Sequence, residues 1–126
     1  MIAIGIGCRR GASQEAIRAM IEQALAQVRD LREQTHLFSI EAKSGEAGLV
    51  GAAKALNLPL EFVSHESLRE AHSKIATRSP FVEARFGVGS VSEAAALAGA
   101  GQDARLLAPR IACDGVTCAV ARGSGR

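Results

Sequence analysis

Isoleucine stands at every second position of residues 2–7, IAIGIG, with glycine on either side of Ile6, the alternation of a buried β-strand. From residue 14 the period changes. Ile17, Ile21, Ala24, Leu25 and Val28 recur at three- and four-residue spacing, which predicts an amphipathic helix over about residues 14–30. Ser13 stands where a helix N-cap belongs, and Glu15 brings an anion to the first turn, where the helix dipole favours it. Residues 37–40 (LFSI) read as a second strand. Residues 46–56 read as a short helix rich in Ala and Gly, closed by Asn57 and Pro59, whose Gly48 and Gly51 would let it lie close against a neighbour. A third strand follows at residues 60–63 (LEFV), then a short helix at residues 67–75. Residues 81–86 fit a strand or a helical turn equally well. Ser90 and Ser92 offer N-caps for a small helix around residues 93–98, stopped by Gly99 and Gly101. Last, Asp114-Gly115 separates two apolar runs, residues 105–112 and 116–122, which is a two-residue hairpin signal.

Strands alternating with helices predict a single α/β domain: a mixed, mostly parallel β-sheet with helices on both faces and a C-terminal antiparallel hairpin. The domain is expected over residues 1–121, with 122–126 as a flexible tail, and the hairpin is expected to make one pair of strands antiparallel. In such sheets the ligand crevice lies beyond the carboxyl ends of the strands. The loop after the first strand, Lys43 and the turn before Glu93 are therefore expected to share one rim.

Composition narrows the function classes. The 126 residues are 48% hydrophobic and 22% charged, an ordinary globular balance. Net charge is +2, with no basic block, no Trp, no Tyr and only four Phe, so neither the stripe nor the stacking platform of a nucleic-acid surface is present. No apolar stretch approaches the ~18 residues of a membrane span, and the opening run, soon meeting Cys8-Arg9-Arg10 and lacking a basic region before it, is not expected to be a secretory signal. Three cysteines, Cys8, Cys113 and Cys118, have no CxxC spacing and read as reduced thiols of a cytoplasmic protein. Across a two-residue turn Cys113 would face Val116 and Cys118 would face Ile111, diagonal positions too far apart for an easy disulfide, with both thiols directed at the core. No metal site and no cofactor are expected.

The first loop carries the chemistry that needs explaining. Gly5 to Gly11 spells G-x-G-x-x-x-G, one residue longer than the dinucleotide fingerprint, with two arginines where backbone would approach a pyrophosphate. The Lys and Ser or Thr of a phosphate loop are missing as well. Gly7 and Gly11 serve as turn residues. Arg9 and Arg10, at the end of a buried strand and beside a helix N-terminus, form a fork-shaped receptor for carboxylates; the alternative is a solvated loop or a pair with Glu41 or Glu46. Cys8 is either a thiol nucleophile activated by the helix end and the arginines or a small residue tucked under the loop. None of His36, His65 and His72 is marked as its base. Lys43 adds charge to the rim, and Glu46 is a helix-start anion or an acid–base group, with capping the simpler role. Gly87-Val88-Gly89-Ser90 is a second glycine-rich approach to a helix, with free backbone N–H donors or a plain capped start. No catalytic residue can be named from these patterns. The candidate ligand-binding set is Gly7, Cys8, Arg9, Arg10, Gly11, Lys43, Glu46, Gly89 and Ser90.

Taken in order, GIGCRRG, then Lys43 with Glu46, Gly48 and Leu49 in KSGEAGL, Ser79, GSVSEAAAL and the closing VTCAVAR resemble the CobE and CbiG C-terminal domain family of cobalamin (vitamin B12) biosynthesis, over essentially the whole chain. The resemblance implies a role in converting precorrin intermediates into the corrin ring, with a corrinoid or precorrin as ligand and other cobalamin-pathway enzymes as partners. It implies two activities to weigh: an accessory protein that binds an intermediate during or after ring contraction, or a hydrolase that opens a ring lactone, as CbiG-type proteins do. A structural partner of another pathway enzyme is the third reading. The resemblance falls on the domain the two types share, and the form it implies is the free-standing, CobE-like one.

Overall fold

Isoleucine at 2, 4 and 6 with alanine and glycine between gives the first strand, β1 (Ile2–Cys8), one bulky face and one nearly bare face, and the sheet is organised around that asymmetry. The computed structural model describes residues 1–29, 32–71 and 90–125, the side chain of Pro109 excepted. Helix α1 (Gln14–Val28) follows β1, with Ser13 accepting a 3.1 Å hydrogen bond from the Ala16 amide and Glu15 in the first turn, as expected. Strand β2 (Thr35–Ile40), a 3-10 turn (Glu41–Lys43), helix α2 (Ala47–Leu56), strand β3 (Leu60–Val63) and helix α3 (His65–Ala71) come next. Asn57 closes α2 in the left-handed conformation. After residues 72–89 come α4 (Val91–Ala100), β4 (Arg105–Cys113) and β5 (Val116–Arg122). The far end of the helix expected to residue 75, Ser79, the ambiguous residues 81–86, Gly87 and Gly89 lie outside the described residues.

Among the described residues the sheet has five strands in the order β3-β2-β1-β5-β4. β1 runs parallel to β2, and β2 to β3. β5 is antiparallel to β1 on one side and to β4 on the other. Thus four strands share one direction and β5 alone is reversed, the mixed, mostly parallel α/β sheet expected. Two pairings are antiparallel where one was expected, because the second strand of the hairpin, not the first, takes the place beside β1.

The two faces of the sheet are built differently. Ile2, Ile4, Ile6 and Cys8 of β1 join Val116, Cys118 and Val120 of β5 in a cluster covered by α1 and α2. Full burial of an isoleucine contributes ~1.5–3 kcal/mol, so three on one strand already rival the net stability of a small domain. Gly48 of α2 lies against the Ala12 carbonyl and Gly51 against the Gln14 side chain, the close approach their spacing predicted. On the opposite face Ala3, Ala119 and Ala121 meet α4 through Ala94, Ala95, Ala96 and Ala100, and α3 packs against α4. Here α4 presses its backbone onto β1: a Cβ at Gly5 would collide with the Ser92 carbonyl and the Ala96 amide. Gly99, expected to stop this helix, lies inside it against the Phe38 ring, and Gly101 takes the cap. The helix passes through Gly99 because only a residue without a side chain fits under that ring. Gly123, Ser124 and Gly125 donate hydrogen bonds to the carbonyls of Met1, Gln102 and Ala100. None of the described helices is long and apolar enough to cross a membrane.

Candidate functional site

β1 ends at Cys8, opposite Val116 of β5. The Arg9 amide then donates to the Gly115 carbonyl at 2.9 Å, and the Ala12 amide to the Arg9 carbonyl at 3.2 Å. Residues 9–12 are therefore a β-turn with Gly11 in third place at φ +74°, a conformation that favours glycine. The turn leaves Arg9 and Arg10 exposed and delivers the chain to the Ser13 cap of α1. Neither arginine forms an ion pair among the described residues, so the expected alternative of a pair with Glu41 or Glu46 is not the arrangement found.

Lys43 and Glu46 reach the same loop from the carboxyl end of β2. Glu46 Oε1 accepts the Gly11 amide at 2.9 Å. This corrects the capping expectation. Glu46 occupies the N-cap position of α2, yet its side chain makes no cap hydrogen bond and ties the arginine turn to α2 instead. The cause is proximity: α1 and α2 pack through Gly48 and Gly51, which brings Gly11 within reach.

Cys8 lies buried beneath the turn. Burial pushes its thiol above the ordinary range; Lys43 and Arg9 pull it back, and Glu46 adds to the rise. The same field places Cys8, Arg9, Lys43 and Glu46 together around the carboxyl end of β1. No histidine among the described residues acts on the thiol, and its upward shift favours the protonated form. Cys118, on the same side of the sheet, is pushed up to about 12, first by burial and then by its neighbour Cys8. Cys113 and Cys118 keep the expected register opposite Val116 and Ile111, but Cys113 is exposed and not core-facing. It sits at the free tip of the outer hairpin strand, beyond the cover of α1.

The second glycine-rich approach has a different fate. Ser90 caps α4 by accepting the Glu93 amide at 3.4 Å, and it is completely buried. Val91 and Ser92 stand behind Gly7, on the sheet face opposite α1. Of the sequence-derived set, then, Gly7, Cys8, Arg9, Arg10, Gly11, Lys43 and Glu46 gather at one end of β1, Ser90 is sealed behind them, and Gly89 lies outside the described residues.

Two residues had no place in the sequence-derived set. Glu93 is fully buried, and its Oε2 accepts the Arg110 amide at 3.3 Å, where the β4 ladder shifts register between Ala108 and Ile111. The Ser90-x-x-Glu93 spacing of a capping box was the available signal. Thr117 donates to the Gly7 carbonyl at 3.4 Å across the β1–β5 pair; no local pattern marks it.

This end thus offers the exposed Arg9 and Arg10 and the half-buried Lys43; Glu46 is bound to backbone, and Asp114 and Glu41 are the exposed carboxylates of the neighbouring turns. Guanidinium forks on a turn of this kind receive carboxylates or phosphates in pairs, and the α1 N-terminus adds partial positive charge. No nucleophile–base pair stands beside them among the described residues.

Comparison with known proteins is consistent along the chain. A family model described as cobalamin synthesis G C-terminus matches residues 2–121. The CobE protein of a Sinorhizobium species is 33% identical over 124 residues, covering 95% of this chain and 79% of that protein. The cobalt-precorrin-5A hydrolase of Salmonella typhimurium is 35% identical over 96 residues, covering 75% of this chain but only 27% of the hydrolase. Among solved structures, that of CobE from the cobalamin biosynthetic pathway superposes with a TM-score of 0.86 at 34% identity, covering 100% of this chain and 92% of the other.

Proposed function

The chain belongs to the cobalamin synthesis G C-terminus family and is a cobalamin biosynthesis protein, and from that premise we propose that it binds a precorrin or corrinoid intermediate through the arginine turn. The observation that carries the reading is the cluster of Arg9, Arg10 and Lys43 at the carboxyl end of β1, with both arginines exposed and unpaired among the described residues. Corrin-type rings are broad and apolar, with a fringe of acetate and propionate carboxylates. Two charge-assisted contacts at ~1.5–3 kcal/mol each supply at most ~6 kcal/mol. Micromolar affinity needs ~8 kcal/mol, so contact of the ring with apolar surface must add the remainder after ordering costs.

Binding is favoured over lactone hydrolysis by two features of the site. The Cys8 thiol is held protonated, and the Glu46 carboxylate is engaged by the Gly11 amide, which leaves neither poised as nucleophile or base. The hydrolase relatives share this chain over about a quarter of their length. Their activity belongs to proteins with much more chain.

The test uses a corrin with free carboxylates, cobyrinic acid, and its neutral heptamethyl ester, each titrated by visible absorption. The acid is expected to bind at least tenfold more tightly than the ester, from the loss of charge-assisted contacts. Equal binding of the two would overturn the reading. Incubation with a lactone-bearing precorrin, followed by mass spectrometry, separates the activities: release of a two-carbon fragment would make the protein a hydrolase, while an unchanged ligand that co-purifies supports a binder.

A further inference from the structure

We propose that Gly115, at the tip of the β4–β5 hairpin, is a positioning residue that holds the Arg9 guanidinium in place for an anionic ligand; this rests on the carboxylate-binding reading of the turn. The hairpin turn has both central residues at positive φ, Asp114 at 53° and Gly115 at 76°, the combination that matches the twist of the flanking strands. The turn lies directly beside the end of β1, where the Arg9 amide donates to the Gly115 carbonyl at 2.9 Å. The Arg9 stem lies across the bare Cα of Gly115. A Cβ built there would stand 2.6 Å from Arg9 Cδ, 2.6 Å from Nε and 2.9 Å from Cγ.

Turn geometry alone does not require glycine at this position. Asparagine and aspartate also tolerate the left-handed conformation, as Asn57, Asp103 and Asp114 do in this chain. Any residue with a Cβ would displace the Arg9 stem, and only glycine leaves the groove it occupies. Arg9 is exposed and has no ion pair among the described residues to orient it. An arginine so placed otherwise samples many rotamers, and ordering it on binding weakens affinity. The Gly115 groove, together with the amide–carbonyl bond beside it, removes part of that freedom in advance. The hairpin is thereby part of the receptor, although it supplies no cation of its own and bears the exposed Asp114 carboxylate at its tip.

The experiment is a double-mutant cycle in the full chain, read by cobyrinic acid titration. Gly115→Ala and Gly115→Asn are expected to weaken binding roughly threefold to tenfold, and Arg9→Ala by roughly ten- to a hundredfold. In the Arg9→Ala background, Gly115→Ala should change affinity by less than about twofold, since there is no stem left to displace. Gly115→Asn guards against simple loss of the turn, because asparagine sustains it. The neutral ester should bind both Gly115 variants as it binds the unaltered chain. A second readout needs no ligand: the Arg9 Nε–H resonance, resolved by NMR, should show an ordered side chain that becomes mobile in Gly115→Asn. An affinity loss that persists undiminished in the Arg9→Ala background would mean that Gly115 acts on the fold of the hairpin, and the proposal fails. Unchanged affinity in both Gly115 variants would also overturn it. If Arg9→Ala itself binds normally, the carboxylate reading has failed, and the Arg9 order in Gly115→Asn then decides the positioning claim alone, with an unchanged signal ending it.

Discussion

Two serine-capped helix starts flank β1, and their sequences look alike. Each has a glycine-bearing approach, then a serine, then a glutamate in the first turn: Gly11, Ser13 and Glu15 before α1, and Ser90 and Glu93 opening α4. The first is open to solvent, carries two arginines and caps itself in water. The second is sealed against Gly5 and Gly7, with Ser90, Ser92 and Glu93 all fully buried. The difference lies in what each meets across the sheet. The α1 start overhangs the end of the strand, so its donors and charges face outward. The α4 start lies along the bare face of β1, so its polar groups find protein partners in place of water: Ser90 takes the Glu93 amide, and Glu93 takes the Arg110 amide of β4. A local signature for anion binding becomes a receptor or a packing wedge according to which face of β1 it meets.

The largest expected effect removes what distinguishes the open start. Arg9→Ala combined with Arg10→Ala should weaken cobyrinic acid binding by ~3–6 kcal/mol, roughly two to four decades. Circular dichroism should be unchanged. Arg29→Ala, an exposed arginine at the far end of α1, is the matched control and should bind normally. Equal binding by the double variant and the control would erase the functional contrast between the two starts.

Glycine substitutions should separate them next. Gly5→Ala drives a methyl into the backbone of α4, and overpacking against backbone that cannot yield should cost about 3 kcal/mol in urea denaturation. Gly11→Ala meets nothing within 4 Å and should cost only the left-handed strain, about 1 kcal/mol. Similar midpoints for the two variants would deny that α4 is packed as described.

The caps give a smaller contrast. Ser90→Ala leaves the buried Glu93 amide without its acceptor and should lose about 1–2 kcal/mol, against about 0.5–1 kcal/mol for the solvent-exposed Ser13→Ala. If Ser13→Ala proved the more damaging, the sealed start would not depend on its cap.

The thiols near the open start should matter least to binding. Cys8→Ser removes only a protonated, buried group and is expected to change cobyrinic acid affinity by less than about threefold, a tolerance argued from side-chain size. Iodoacetamide at pH 8 should label the exposed Cys113 first. The raised thiols also give a pH signature. Cys118 binds its proton more tightly folded than unfolded, so its contribution to stability is complete below about 9 and is lost as pH rises from 9 toward about 12. Cys118→Ala should therefore show a shallower loss of stability across that range than the unaltered chain. An identical alkaline slope would place Cys118 in water.

Much of this molecule follows from the chain itself. The isoleucine alternation of β1, the three- and four-residue spacing of α1, the Ser13 and Ser90 caps and the Asp114-Gly115 turn are local, because each is decided by backbone sterics and by hydrogen bonds within a few residues. The paired arginines and the register of the hairpin cysteines were legible for the same reason. Local pattern could not say which hairpin strand would lie beside β1, since both runs are apolar and the choice depends on which small side chains admit α4. Nor could it foresee that Glu46 would bind the Gly11 amide, that Cys113 would be exposed at an outer strand tip, or that Gly115 would lie under Arg9. Those contacts join residues 35 or more positions apart. They exist because the sheet brings strand ends and turns together, and only the tertiary structure decides which of them meet.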